Sequence, residues 1–395
     1  MPFVVWVILY CAVLWGVFGA LLGAVAPNLR AHLGVSFDQI GWLMALWTSG
    51  GAVGSFMGGA VAKSISPQRL LVIYSGLVLI CLGGVLLAPN FASLALAFFC
   101  IAVFETALFT LGHGLLAEVS DDPEERTRVI SLVDVAYSSG TILSPLLVSA
   151  VLWFANHWRA PYAVFGLLAV GLFVLTLQRQ HLAGVAFRTS SDVPAERVTE
   201  GYRQLAREPL VLAVCTAGIF SGLVEWGQYF WFVSYASTSL GLTEQSARMA
   251  LGGLMVGMAA GRIWQAFWHS RWRMGQKLQG LSLMAALALA TMASLPKDTP
   301  IYMLTGFNFL AGLGVSVGFP ILLGSALKAF PHQAPRLSAL LMVSFTLGSQ
   351  MAALLLGYLA EHAGLRSVYG FLTLAALALS WAVWHLNKRL VTTLS

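Results

Sequence analysis

Residues 3–26 read FVVWVILYCAVLWGVFGALLGAVA, a run without a single charged side chain. A helix crosses the hydrocarbon layer with about 20 residues, so this stretch is long enough to span. Backbone in lipid must satisfy its own hydrogen bonds, which a single segment achieves only as a helix. Ala24-Val25-Ala26 has the form of a signal cleavage site, but a secretory signal opens on basic residues and has a shorter apolar core. Here the first basic residue is Arg30, so the run reads as a retained first helix.

Further runs of the same kind follow at 38–62, 70–88, 92–117, 129–155, 160–178, 209–237, 248–268, 279–295, 301–327, 337–360 and 367–386. Ser66-Pro67, Pro89-Asn90, Asp122-Pro123, Pro296-Lys297 and Pro331-His332 supply the turns between them. The expected fold class is an all-α membrane protein with twelve transmembrane helices. The one long polar stretch, 179–208, reads as a cytoplasmic linker between two six-helix bundles, 1–178 and 209–395.

Composition agrees. Of 395 residues 58% are hydrophobic and 10% charged, against about 25% charged in soluble domains. The outside of the molecule is therefore expected to meet a lipid bilayer. The net charge of +6 is spread over many short loops with no dense basic tract, which argues against a nucleic-acid partner. With both termini in the cytoplasm, Arg30, Arg159, Arg248, Lys297 and Arg366 fall outside and the other 17 of the 22 basic residues fall inside. That bias is the one expected of an inner-membrane protein in this orientation. Cys11, Cys81, Cys100 and Cys215 all lie in apolar stretches without paired or metal-type spacing, so they read as small packed side chains and no cofactor or metal is expected.

The halves resemble each other. Leu33-Gly34-Val35-Ser36 matches Leu240-Gly241-Leu242-Thr243, and Gly50 and Gly54 match Gly257 and Gly261, all at an offset of 207. At an offset of 208, Arg128, Val135, Tyr137, Ser138 and Gly140 meet Arg336, Val343, Phe345, Thr346 and Gly348. Two six-helix repeats of like orientation are one of the arrangements used by secondary transporters.

An ionised group at bilayer depth is costly, so intramembrane polar residues are functional candidates. Glu105, Asp134 and Glu225 stand inside the fourth, fifth and seventh runs; Gln228, Asn308 and Gln350 inside the seventh, tenth and eleventh. Helical spacing puts Ser221, Glu225, Gln228, Tyr229 and Phe232 on one face, with Trp226 and Trp231 off it. Asp134, Tyr137, Ser138 and Thr141 form a second polar stripe. His113 and Asp134 stand equally far from the turn near Pro123-Glu124, so antiparallel packing brings them to one depth, as a pH-sensitive pair or as a wetted acid beside a structural histidine. Gly50, Gly54 and Gly58 share a helix face suited to close packing. Gly312-Leu313-Gly314 through Gly318 has no preceding strand and reads as helix packing or flexibility, not as a nucleotide loop.

Ala26-Pro27-Asn28-Leu29 to Gly41-Trp42-Leu43, Val224-Glu225-Trp226 and Gly257-Met258-Ala259-Ala260-Gly261-Arg262 carry a family resemblance. The chain resembles the major facilitator superfamily, and within it the fucose-permease-like branch of sugar and small-solute permeases. It departs from the family pattern after the second run, where Gly59 is followed by Lys63-Ser64 with no Asp, and the first run lacks the acid of the fucose permeases. The resemblance implies two pseudo-symmetric bundles, with the first, second, fourth, fifth, seventh, eighth, tenth and eleventh helices lining a cavity.

It also implies a monomeric secondary transporter, not an enzyme, that moves a small solute by alternating access. Proton-coupled uptake of a neutral or sugar-like solute leads. Export of a drug, siderophore or metabolite is the alternative, and a membrane-embedded enzyme a distant one. Glu225, Glu105, Asp134 and His113 are the expected proton-coupling residues. Ser221, Gln228, Tyr229, Phe232, Tyr137, Thr141, Asn308, Thr346 and Gln350 are the expected solute contacts, and Arg262 the expected gate.

Overall fold

The computed structural model describes residues 3–61, 65–117, 123–178, 204–267, 274–330 and 333–394. Lys63 and Ser64, the acidic pair Asp121-Asp122, Arg271 and Arg273, and the linker from 179 to 203 lie outside the described residues, and so do the expectations placed on them.

The chain divides into two compact units, Met1–Ser190 and Ser191–Ser395. In the first, the helices are α1 (Phe3–Leu33), α2 (Phe37–Ala60), α3 (Pro67–Leu87), α4 (Phe91–Ala117), α5 (Pro123–Ala155) and α6 (Ala160–Leu177). In the second they are α7 (Pro209–Thr238), α8 (Glu244–Phe267), α9 (Met274–Ser294), α10 (Ile301–Val315), α11 (Gly318–Ala329), α12 (Ala334–Ala363) and α13 (Leu365–Leu394). The tenth expected span is thus broken: α10 and α11 share it, joined at Ser316 and Val317. Ten described spans are long and apolar enough to cross a membrane, counting α10 with α11 as one. The glycine- and polar-rich α2 and α8 are the two outside that set.

The helices outrun the apolar runs that announced them. α1 continues through Pro27 to Leu33, where Arg30 lies over the Phe37 ring at 4.0 Å. A proline removes one backbone donor but leaves the rest of the ladder intact. Hydropathy marks where lipid ends, whereas the helix ends at Gly34, whose φ of +63° a side chain would resist. α5 opens on Pro123, a residue suited to the first helical turn.

Each unit repeats the same devices. Gly34 and Gly241 both take a left-handed conformation, φ +63° and +77°. The next helix is then capped: Ser36 and Gln39 form a capping box, and Thr243 accepts from the Ser246 N–H at 3.2 Å. Arg159 donates Nη2 to the Ala88 carbonyl at 2.7 Å, and Arg366 donates Nη2 to the Leu295 carbonyl at 2.9 Å. Both pairs are 71 residues apart, and they stand 207 residues from each other. A cation on the last carbonyls of a helix satisfies a group that has no partner within the helix.

Side-chain-free contacts join the same helices in each unit. A Cβ on Gly140 would stand 2.1 Å from the Val13 carbonyl oxygen, binding α5 to α1; one on Gly348 would stand 2.1 Å from that of Ile219, binding α12 to α7. Gly50, Gly54 and Gly58 of α2 press in the same way on the Phe99, Val103 and Ala107 carbonyls of α4. Gly253 and Gly257 of α8 do so on Thr305 and Phe309 of α10. Small residues let backbones approach where lipid offers no hydrophobic drive for helix association.

Candidate functional site

In the first unit the acid of α4 is turned inward. Glu105 is 4% exposed, and neither carboxyl oxygen has a hydrogen-bond partner among the described residues. It faces a narrow cleft with Cys11, Ser75, Leu108, Phe165 and Leu172, with room for about one water molecule. α1, α3, α4 and α6 build that cleft, so the charged form of Glu105 would be dehydrated without a donor.

A second feature of this unit is an aromatic row. Tyr137 of α5 lies 4.7 Å from Trp15 of α1, Trp15 stacks on Phe109 of α4 at 4.1 Å, and Phe109 meets the His113 ring at 4.2 Å. All four are half-buried. The sequence pointed to Tyr137 and His113 but passed over Trp15 and Phe109, which sit in featureless apolar runs. The α1–α5 contact at Gly16 and Gly140 brings Trp15 beside Tyr137. His113 Nδ1 lies 3.1 Å from the carbonyl of Phe109 in its own helix. Asp134 is exposed, and its backbone carbonyl accepts from Ser138. Thr141 is buried and donates to the Ser138 carbonyl at 2.8 Å.

In the second unit, polar residues of α7 and α8 gather at the break between α10 and α11. Arg262 of α8 lies within electrostatic reach of Glu225 of α7. Its Nε stands 3.5 Å from the Ser316 carbonyl, one of the carbonyls freed where α10 ends. Gly261, one residue before, leaves room for Ser316: a Cβ there would meet Oγ at 2.0 Å. Across the break, a Cβ on Gly318 would meet the Ser221 Oγ at 2.2 Å, and that hydroxyl has no partner among the described residues. Acid, guanidinium, hydroxyl and open backbone therefore meet in one place. Breaks of this kind at membrane depth hold polar ligands in transporters, because they expose backbone groups that a continuous helix would consume.

The other expected solute contacts divide by burial. Gln228 is fully buried and its Oε1 accepts from the Tyr369 hydroxyl of α13 at 3.1 Å. Asn308 is fully buried and donates Nδ2 to the Ala250 carbonyl of α8 at 2.9 Å. Tyr229 points its hydroxyl at the Met258 sulfur, 3.3 Å away, and Phe232 has no exposed surface. These four hold the second unit together in this conformation. Thr346 and Gln350 of α12 are half-buried. Of the two tryptophans off the polar face, Trp231 is buried with Nε1 on the Ala352 carbonyl at 2.7 Å, and Trp226 packs on Tyr229 and Phe230. Among the described residues no group of three or more His, Cys, Asp or Glu could hold a metal ion.

Comparison with known proteins agrees with this architecture. Protein TsgA of Escherichia coli O6:K15:H31 (strain 536 / UPEC) is 21% identical over 360 residues, covering 91% of this chain and 88% of that protein. A point mutant of the nucleoside transporter NupG matches with a TM-score of 0.82 at 13% identity, covering 97% of this chain and 99% of that one. The peptide transporter POT in complex with sulfate matches with a TM-score of 0.80 at 12% identity, covering 100% and 96%. Such low identities carry the fold alone. The family model of the Major Facilitator Superfamily matches residues 7–298. The chain therefore belongs to the major facilitator superfamily, as a multi-pass membrane transporter and not an enzyme.

Proposed function

We propose that this transporter takes up a small neutral or sugar-like solute together with protons, by alternating access, and that Glu225 carries the coupling proton. The observation behind this reading is the Glu225–Arg262 relationship beside the break of the tenth span. An ionised Glu225 is balanced by the guanidinium; a protonated one leaves Arg262 to the Ser316 carbonyl. Each proton event thus changes the charge at the break without requiring a charged solute, since acid and base together sum to zero. The aromatic row Tyr137–Trp15–Phe109–His113 supports a solute with a flat or apolar face, which ring faces receive well. Glu105, enclosed among α1, α3, α4 and α6, is a second proton carrier.

The protein is proposed to act as a monomer, as the family resemblance implies, and to sit in the inner membrane with both termini in the cytoplasm, which the basic-residue bias supports. Uptake is favoured over export because only Gly140 and Ser144-Pro145 match the glycine-proline pattern of exporters in the fifth span.

The test begins with thermal stabilisation by sugars, nucleosides and peptides, then liposome uptake with and without an imposed pH gradient. Glu225→Gln should retain solute exchange and lose proton-driven accumulation. Normal accumulation in that variant would end the proposal.

A further inference from the structure

The spacing of the cysteines in sequence suggests no pair, yet the hairpin of α3 and α4 makes one. The two helices run antiparallel through the turn at 88–90, so residues facing each other across the seam keep a constant sum of residue numbers. Gly84 and Ala97 define one rung: a Cβ on Gly84 would stand 3.4 Å from that of Ala97. One turn along each helix, the same sum pairs Cys81 with Cys100. Their side chains lie within interaction range of each other. The Gly84–Ala97 rung is close to the Cβ separation that a disulfide spans, about 3.5–4.5 Å, and Cys81 and Cys100 face each other one turn along the same seam.

Both cysteines are partly exposed. Beside them on the outer surface stand Ile80, 70% exposed, and Leu96, 64% exposed, so the pair opens toward lipid. Cys81 is six residues from the end of α3 at Leu87, about 9 Å at the helical rise, which places it inside the hydrocarbon layer. Polar oxidants partition poorly into that region, whereas a lipid-dissolved oxidant reaches it.

We propose that Cys81 and Cys100 are an oxidisable dithiol at the lipid face of the third and fourth spans, closed to a disulfide by a membrane-dissolved quinone. Two S–H bonds break and one S–S bond forms. The two electrons and two protons pass to the quinone, which leaves as the hydroquinone. The closed bond ties α4 to α3 five residues before Glu105, and so fixes the turn that presents that acid.

The experiment uses the full chain in lipid nanodiscs, treated with a fully ring-substituted decyl benzoquinone. The expected result is that two of the four thiols no longer react with maleimide when the treated chain is then denatured. Intact mass should fall by two hydrogens, and a digest should contain a fragment linking Cys81 to Cys100. Dithiothreitol restores both thiols, and Cys81→Ser or Cys100→Ser loses none. Four thiols still reactive, a quinone adduct, a cross-linked dimer, or a bridge involving Cys11 or Cys215 would each overturn the proposal. If either variant fails to fold, the linked fragment from the unmodified chain decides the matter alone.

Discussion

Tyr369 donates its hydroxyl hydrogen to Oε1 of Gln228 at 3.1 Å, joining α13 to α7 through a fully buried amide. The Gln228 Nε2 has no partner among the described residues, so the hydroxyl is the amide's main anchor. Tyr369→Phe removes it and leaves a buried acceptor unmet, at about 1–3 kcal/mol. The melting temperature in detergent should drop, with solute affinity unchanged. An altered affinity at unchanged melting temperature would return Gln228 to the solute contacts.

Arg262 lies within electrostatic reach of Glu225, so on the proposed coupling role their substitutions should not add. Glu225→Gln and Arg262→Gln alone should each lower proton-driven uptake about tenfold or more. The double variant should lie well above the product of the two losses, with a coupling of about 0.5–3 kcal/mol. Additive losses in a complete double-mutant cycle would show that the two groups work independently.

Close backbone contact makes a sharp forecast for the glycines. Gly140→Ala and Gly348→Ala put a methyl 2.1 Å from a carbonyl oxygen of the facing helix, so that helix must move. Each should cost about 1–3 kcal/mol, the range for overpacking. Gly83→Ala and Gly166→Ala meet nothing within 4 Å, and should be neutral or slightly stabilising because alanine favours helix. Thermal melts of the four variants in one detergent separate the two classes.

His157, in the loop between α5 and α6, stands 4.6 Å from the His32 ring, and its Nδ1 accepts from the Arg159 N–H at 3.2 Å. Burial first, then the His32 and Arg159 charges, lower its proton affinity from the ordinary 6.5. The unfolded chain then binds this proton more readily than the folded one, so stability falls as pH drops below about 6.5 and is intact above it. Melting temperatures between pH 7.5 and 5 should fall more steeply for the unmodified chain than for His157→Gln. Parallel curves would remove His157 from the acid sensitivity.

What the sequence revealed depended on range. Helix class and the two-fold repeat were legible because hydropathy is local and because Gly34 and Gly241 perform one task that only a left-handed residue does without strain. Glu225 and Arg262 were legible singly, as charges where charge is expensive. Their meeting was not, since it depends on how α7 and α8 are rotated about their axes. The break at Ser316 was half-visible as a glycine-rich stretch that could signal packing or bending alike. Trp15 and Phe109 carried no signal, as aromatics abound in every span. The inward turn of Gln228 and Asn308 was hidden for a related reason: an amide in a helix looks the same whether it serves a solute or a neighbouring carbonyl.

The paired clasps, Arg159 on Ala88 and Arg366 on Leu295, also impose a timetable on biogenesis. In each unit the third span ends long before its fastening arginine is made, 71 residues later. Until the ribosome reaches the sixth span, the end of the third must borrow water or lipid headgroups for its carbonyls. Once Arg159 emerges, the first unit can latch while the second is still being translated, in keeping with the N-terminal-first folding of multi-domain chains.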